Sequence, residues 1–338
     1  MGVEKIALAN GRFVPFSRTN VREIDCVNKR HGKNGCILVV DDEAEMREMI
    51  CDYLGDVEGY EVRGAVSGED ALNNVLPAND VDLVLSDINM PGMKGFELLN
   101  EVRRRYPRVE RMLITAYHAE DYFDLAMKYD VGNIFVKTTP FNFGELSTNV
   151  TNLLTNDIFG AERYFDPDAR VHTLTVKRSD ALHEDARKII DLLPDKSRAR
   201  KLELVIVELL TNAIFYGVRG EDPDNREAWD HDFELSDSEA ITISVLVDKE
   251  KYGITVVDNG GNLKKSDVLY WMNQQVTRDE NGVPLGLTES HGRGLFIARQ
   301  YIDRLIVNVD KSKKTEVISI NYLSRTYQGY KPLYINEI

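Results

Sequence analysis

Four short apolar segments, each ending in a polar residue suited to chemistry, limit most strongly what this chain can fold into. Residues 37–40 (ILVV) end in Asp41, Asp42 and Glu43, and residues 83–85 end in Ser86 and Asp87. Residues 112–114 end in Thr115 and Ala116, and residues 134–136 end in Lys137. Continuous apolar runs of this length mark strands buried on both faces of a parallel sheet. Between them, residues 43–54, 68–76, 95–105 and 119–129 carry helical spacing. The alternation implies a doubly wound α/β sheet. In such sheets ligands sit at the carboxyl ends of the strands. Here those ends bring together three aspartates, a threonine and a lysine.

Three carboxylates in one place repel one another unless they share a cation. Mg²⁺ suits oxygen ligands and keeps positions open for phosphate oxygens. A lysine and a hydroxyl beside it hold the remaining oxygens of a phosphoryl group, and Asp87 becomes a candidate nucleophile. The segments ILVVDDE, LVLSDINMPGMKG, LITAY and IFVK also resemble, in order and spacing, the receiver domain of response regulators. The resemblance implies a flavodoxin-like fold. By position it makes Asp41 and Asp42 Mg²⁺ ligands with Asp87, and Asp87 the phosphoacceptor. It makes Thr115 the switch hydroxyl and Lys137 the phosphate-binding lysine. Two positions depart from the family. Thr138 and Thr139 separate Lys137 from Pro140, and Ile134 stands where an aromatic switch residue is usual, with Phe135 beside it.

The second organising stretch is residues 201–217, KLELVIVELLTNAIFYG. Leu202, Val205, Ile206, Leu209, Leu210 and Ala213 fall three and four apart, which predicts a helix with one buried face. Val207, Leu204, Ile214 and Phe215 extend the apolar surface nearly all round. Glu208 and Asn212 lie four apart on one flank. They serve either an internal ion pair or hydrogen bond, or a site where their oxygens meet a metal and a phosphate. Hairpins are expected at 241–247 with 253–257, and at 305–309 with 316–322. Amphipathic spacing at Leu182, Ala186, Ile189, Ile190 and Leu193 predicts another helix. The whole reads as a mixed sheet covered on one face by helices. Asp258-Asn259-Gly260-Gly261 ends a strand, where an aspartate could accept a hydrogen bond from an adenine amino group. His291-Gly292-Arg293-Gly294 opens a helix whose N–H groups could meet phosphates.

Together VELLTNAIFYG, VVDNGG and HGRGLFIAR resemble the GHKL (Bergerat) ATP-binding domain, a two-layer α/β sandwich, and most of all the anti-sigma factor serine kinases. The resemblance implies ATP and Mg²⁺. By position Asn212 is the Mg²⁺ ligand and Glu208 the general base. Asp258 is the adenine reader with Gly260 beside it, Gly292 and Gly294 form the phosphate loop, and Thr315 lies near adenine. Lys314 replaces the family's glycine before that threonine. Residues 262–290 would be the ATP lid. An acidic stretch within 218–240, with Trp229, is a solvated loop or a partner-docking insertion.

The expected organisation is a tail at 1–35, a receiver at 36–155 and a linker at 156–170. An ATP-binding domain follows at 171–325, with a tail at 326–338. With 338 residues the chain is long enough for two domains. Its net charge of −14 argues against direct nucleic-acid binding. Cys26, Cys36 and Cys51 form no disulfide framework. No apolar run approaches the roughly 18 residues of a membrane helix, and the N-terminus lacks a signal-peptide core. A cytoplasmic protein is expected. Its reading is a response regulator, phosphorylated on Asp87 by a sensor histidine kinase, whose output is an ATP-binding serine/threonine kinase or partner switch. The partner would be an anti-anti-sigma-like protein or a sigma factor, and homodimerisation is compatible with this. The alternatives are a histidine kinase carrying a receiver, for which His183 is the candidate phosphoacceptor, and a non-catalytic ATP-gated binding module.

Overall fold

The computed structural model describes residues 35–221, 232–287, 294–327 and 331–338, together with two short strands upstream, β1 (Lys5–Ala7) and β2 (Phe13–Pro15). These two pair antiparallel, where the sequence predicts only a patternless tail.

The first half alternates as the apolar runs predict. In order come β3 (Cys36–Val40), α1 (Ala44–Asp52), β4 (Glu61–Ala65), α2 (Gly68–Asp70), β5 (Leu83–Asp87) and α3 (Gly95–Arg105). Then come β6 (Glu110–Thr115), α4 (Phe123–Tyr129), β7 (Asn133–Val136) and α5 (Phe143–Thr155). The five strands are parallel in the order β4-β3-β5-β6-β7. The helix ends are set by local chemistry. Ser67 accepts a hydrogen bond from the Asp70 amide, and Asn142 accepts one from the Glu145 amide, each satisfying an orphan donor of a first turn.

The second half holds β8 (Arg170–Val176), α6 (Leu182–Asp191), α7 (Ala199–Thr211), β9 (Ile241–Val247), β10 (Lys251–Asp258) and α8 (Lys265–Val276). It continues with α9 (Gly294–Tyr301), β11 (Arg304–Asp310), β12 (Lys314–Tyr322) and β13 (Leu333–Glu337). Strands β11-β12-β10-β9-β8 are antiparallel neighbours. Helix α7 packs on α6 and α9 and buries Leu202, Val205, Ile206, Leu209 and Leu210. After Thr211 the helix relaxes into a wider π-helical turn over Asn212–Val218.

The expectation of two separate sheets is corrected. Strand β13 pairs antiparallel with β7 and parallel with β11, joining both halves into one eleven-stranded sheet. It lies in the stretch read from sequence as a C-terminal tail. Leu333, Tyr334 and Ile335 are buried because each face of this strand meets core on both sides. The stretch 156–170 is likewise no solvated linker, since Ile158, Ala161 and Phe165 are buried against the sheet.

Three smaller expectations also change. Strand β4 escapes the sequence reading because it is a partly exposed edge, EVRGA, with no continuous apolar run. Residues 265–276 of the expected lid form α8, which buries Val268, Leu269 and Met272 and packs on α4 and α9, so this part is core rather than lid. The stretch 201–217, expected to be buried nearly all round, leaves Leu204 41% exposed. Residues 222–231 of the acidic segment, with Trp229, fall outside the described residues, as do Cys26, His291, Gly292 and Arg293.

Candidate functional site

The carboxyl ends of β3, β5, β6 and β7 meet at one point because the strands are parallel and in register. Asp87 stands opposite Ile114, and Thr115 opposite Val136. The Lys137 ammonium donates to Asp87 Oδ1 at 2.6 Å and to Asp41 Oδ2 at 3.0 Å. The remaining oxygens are held by backbone: Asn89 N donates to Asp87 Oδ2 at 2.6 Å, and Glu43 N to Asp41 Oδ1 at 2.9 Å. Burial pushes the Asp41 carboxyl above its ordinary value against the pull of Lys137. Burial also acts most strongly on Lys137, but the hydrogen bonds and charges of Asp87 and Asp41 outweigh it and raise the ammonium pKa.

Thr115 is buried, and its hydroxyl accepts from Tyr117 N at 3.0 Å. Asp42 is exposed at the rim. No three His, Cys, Asp or Glu side chains among the described residues are grouped as a metal cluster. The lysine lies between the two buried acids instead. Both Ile134 and Phe135 are buried in β7, and the peptide that reaches Pro140 is cis.

A second grouping lies where α7, β10, β12 and α9 converge. Asp258 ends β10 and is 4% exposed. Burial raises its pKa to about 6, although the amides of Gly260 and Gly261 donate to its Oδ1 at 2.9 and 3.2 Å. Thr315 stands directly opposite Asp258 in β12. Its buried hydroxyl lies near enough to favour the ionised carboxyl but makes no hydrogen bond of ordinary geometry.

The glycines here are required by close approach. A β-carbon at Gly217 would sit 2.5 Å from Asp258 Oδ2, and one at Gly260 would sit 1.5 Å from Gly217 O. Gly261 has φ of +60°, a conformation only glycine adopts freely. At the start of α9, a β-carbon on Gly294 would lie 2.7 Å from Glu208 Oε2 and 3.2 Å from Asn212 Nδ2. Glu208, Asn212 and Gly294 are therefore brought together, and Asp258, Gly260 and Thr315 form the adjoining wall. Glu208 and Asn212 are half-buried. Gly217 belongs to this wall, and the sequence signal for it is its place at the end of the same apolar stretch. Gly292 lies outside the described residues. His183, on α6, is exposed and faces Glu203 at 3.2 Å.

Residues 37–151 match the response regulator receiver domain family. Among similar proteins, MalR of Bacillus subtilis, a transcriptional regulatory protein, is 29% identical over 116 residues, which is 34% of this chain and 48% of MalR. The response regulator FleR of Pseudomonas aeruginosa is 37% identical over 126 residues, 37% of this chain and 26% of FleR. This chain thus spans half or less of the length of these relatives. Among solved structures, TrrA of Thermotoga maritima, in complex with Mg(2+)-BeF, is 38% identical, with 36% of this chain and 100% of that one covered and a TM-score of 0.32. The segment 37–151 is a response regulator receiver domain, the module of two-component signalling. No helix among the described residues is long and apolar enough to cross a membrane.

Proposed function

We propose that this chain is a response regulator phosphorylated on Asp87, whose second half binds ATP and acts on a protein partner. The observation that carries the first part is the Lys137 ammonium shared between Asp87 and Asp41. One ammonium bridges the two buried carboxylates there, so an incoming phosphoryl group meets a cationic donor already held in place. Asp41 and Asp87 at the strand ends, with Asp42 at the solvent rim, offer the carboxylate oxygens that Mg²⁺ takes, and would hold it once Lys137 turns toward the phosphoryl group. Bound Mg²⁺ would neutralise phosphate charge. Asp87 Oδ would attack phosphorus in a donor such as the phosphohistidine of a sensor histidine kinase, breaking its P–N bond and releasing the imidazole, and Lys137 and Thr115 would hold the transferred oxygens.

Support for the second part is the convergence of Glu208, Asn212 and Gly294 beside the walled-in Asp258. Helices α6 to α9 packed against a mixed sheet are in keeping with the two-layer arrangement expected of a GHKL-type domain. There Asp258 would accept from the adenine amino group with Thr315 nearby, Gly292 and Gly294 would face the phosphates, and Asn212 would hold Mg²⁺. Glu208 would take a proton from a serine or threonine hydroxyl of an anti-anti-sigma-like target. The histidine-kinase alternative is disfavoured by the surface setting of His183 on a helix of only 10 residues.

The deciding experiment has two arms. Intact mass after incubation with acetyl phosphate and Mg²⁺ should show one phosphate in wild type and none in Asp87→Asn. Equal uptake in both would refute the acceptor assignment. Labelled ATP with the partner should give acid-stable transfer that Glu208→Gln abolishes. Partner binding without transfer, equal in both proteins, would replace the kinase with an ATP-gated binding module.

A further inference from the structure

We infer that Arg299 is a positioning residue through which the receiver sets where the start of α9 sits against Glu208 and Asn212, an inference that rests on the function proposed above. Arg299 lies on α9, five residues after Gly294, and is 1% exposed. A buried guanidinium needs its charge answered and its N–H groups occupied. Its two Nη groups donate to the carbonyls of Pro332 and Lys331. Its Nε faces Glu120 Oε1 at 3.4 Å, and its guanidinium carbon stands 5.3 Å from the centre of the Phe123 ring. Among the described residues Glu120 is the carboxylate paired with Arg299. Glu120 belongs to the receiver, in the turn between Thr115 and α4.

The clamp is reciprocal. The Lys331 ammonium donates back to the carbonyls of Arg299 and Gln300, closing the C-terminal end of α9. Residues 331 and 332 lead directly into β13, which pairs with receiver strand β7. Helix α9 is thus tied to the receiver at its C-terminal end, through Glu120 and through the strand. At its other end Gly294 abuts Glu208 and Asn212. Eight helical residues span only about 12 Å and move as one piece. A shift of the turn after Thr115 that carries Glu120 with it withdraws the counter-charge of Arg299 and reseats the whole helix. Arg299 acts at one remove, since its effect passes along α9 to Gly294.

The test uses the full chain, with ADP and Mg²⁺ titrated calorimetrically before and after acetyl phosphate treatment. In wild type, phosphorylation of Asp87 should change nucleotide affinity within the roughly 5–150-fold span of coupled sites. In Glu120→Gln, a substitution at a partly exposed side chain, phosphate uptake should persist while that ratio falls to about one. Hydrogen exchange of the α9 amides gives a second readout: phosphorylation should alter their protection in wild type and not in Glu120→Gln. An unchanged ratio and unchanged exchange response in Glu120→Gln would overturn the inference and leave the proposed function standing. Absence of either phosphate uptake or nucleotide binding in wild type would overturn both.

Discussion

Arg304, at the start of β11, donates through Nε to both carboxylate oxygens of Glu145, in the first turn of α5, at 2.8 Å each. The pair joins the receiver to the second half in a buried setting. Tyr334 Oη donates to Glu145 Oε1 at 2.8 Å, and Asn142 Nδ2 donates to Glu145 Oε2 at the same distance. Burial alone would lower the Arg304 pKa, but Glu145 and the neighbouring tyrosines more than offset it and leave the group charged.

Breaking this pair should be costly. Glu145→Gln leaves a buried guanidinium without its counter-charge, at an expected loss of about 3–5 kcal/mol. Tyr334→Phe removes one hydrogen bond to a charged group and should cost about 1.5–3 kcal/mol. Urea unfolding of the full chain measures both. A Glu145→Gln loss no larger than that of Tyr334→Phe would show that the ion pair is not the main tie.

Lys137→Met should destabilise the receiver at neutral pH, because Asp41 and Asp87 would then face each other unneutralised. The expected loss is about 3 kcal/mol. It should shrink as pH falls, because Asp41, whose carboxyl burial holds above its ordinary value, takes up a proton and the repulsion is removed. Denaturation midpoints of the two proteins at pH 7 and pH 4 test this. A difference independent of pH would mean that lost packing, not charge, sets the cost.

Asp258 gives a pH dependence of defined sign. Its folded pKa of about 6 stands above the ordinary value of 3.8, so the native state holds the proton more tightly than the unfolded chain. The associated stability is fully present below pH 3.8 and is lost as pH rises through about 6. The magnitude is on the order of 2–3 kcal/mol. Asp258→Asn should abolish this slope and be the more stable protein at pH 7, while binding adenine nucleotide about tenfold or more weakly. Stability curves from pH 4 to 7 that superimpose for the two proteins would refute the assignment.

Gly132 tests the junction strand. A β-carbon there would lie 2.2 Å from Ile335 O, and Ile335 N donates to Gly132 O at 2.9 Å. Gly132→Ala should therefore push β13 away from β7, at about 1–3 kcal/mol. Wild type should unfold in one calorimetric transition and Gly132→Ala in two. A single transition in both would mean that the ion pairs and helix contacts suffice to join the halves.

Much of this architecture is legible in the sequence where a segment is buried on both faces. The runs ending in Asp41, Asp87, Thr115 and Lys137 announce buried parallel strands, and the register then dictates that those residues meet. The helix with Glu208 and Asn212 is equally plain from its spacing. What escapes are elements whose burial depends on partners far away in the chain. Leu333, Tyr334 and Ile335 are too few to signal a strand, and they become core only because β7 and β11 each offer an unpaired edge. Strand β4 and helix α8 are hidden for related reasons, one by exposure and the other by its polar residues Lys264, Lys265, Ser266 and Asp267. Arg299 reads as an ordinary surface arginine until Glu120 and residues 331–332 are placed around it.

The central position of β13 also fixes an order of events during synthesis. Strands β3 to β7 can pair with one another as soon as they leave the ribosome, and β8 to β12 can do so later. The outer edge of β7 and that of β11 stay unpaired until Leu333 emerges. A nascent chain paused before that point carries two additional open edges, which are templates for pairing with other chains. Ribosome-stalled chains ending before Leu333 should therefore aggregate more readily than chains stalled with β13 exposed, and sedimentation of the two sets would show it.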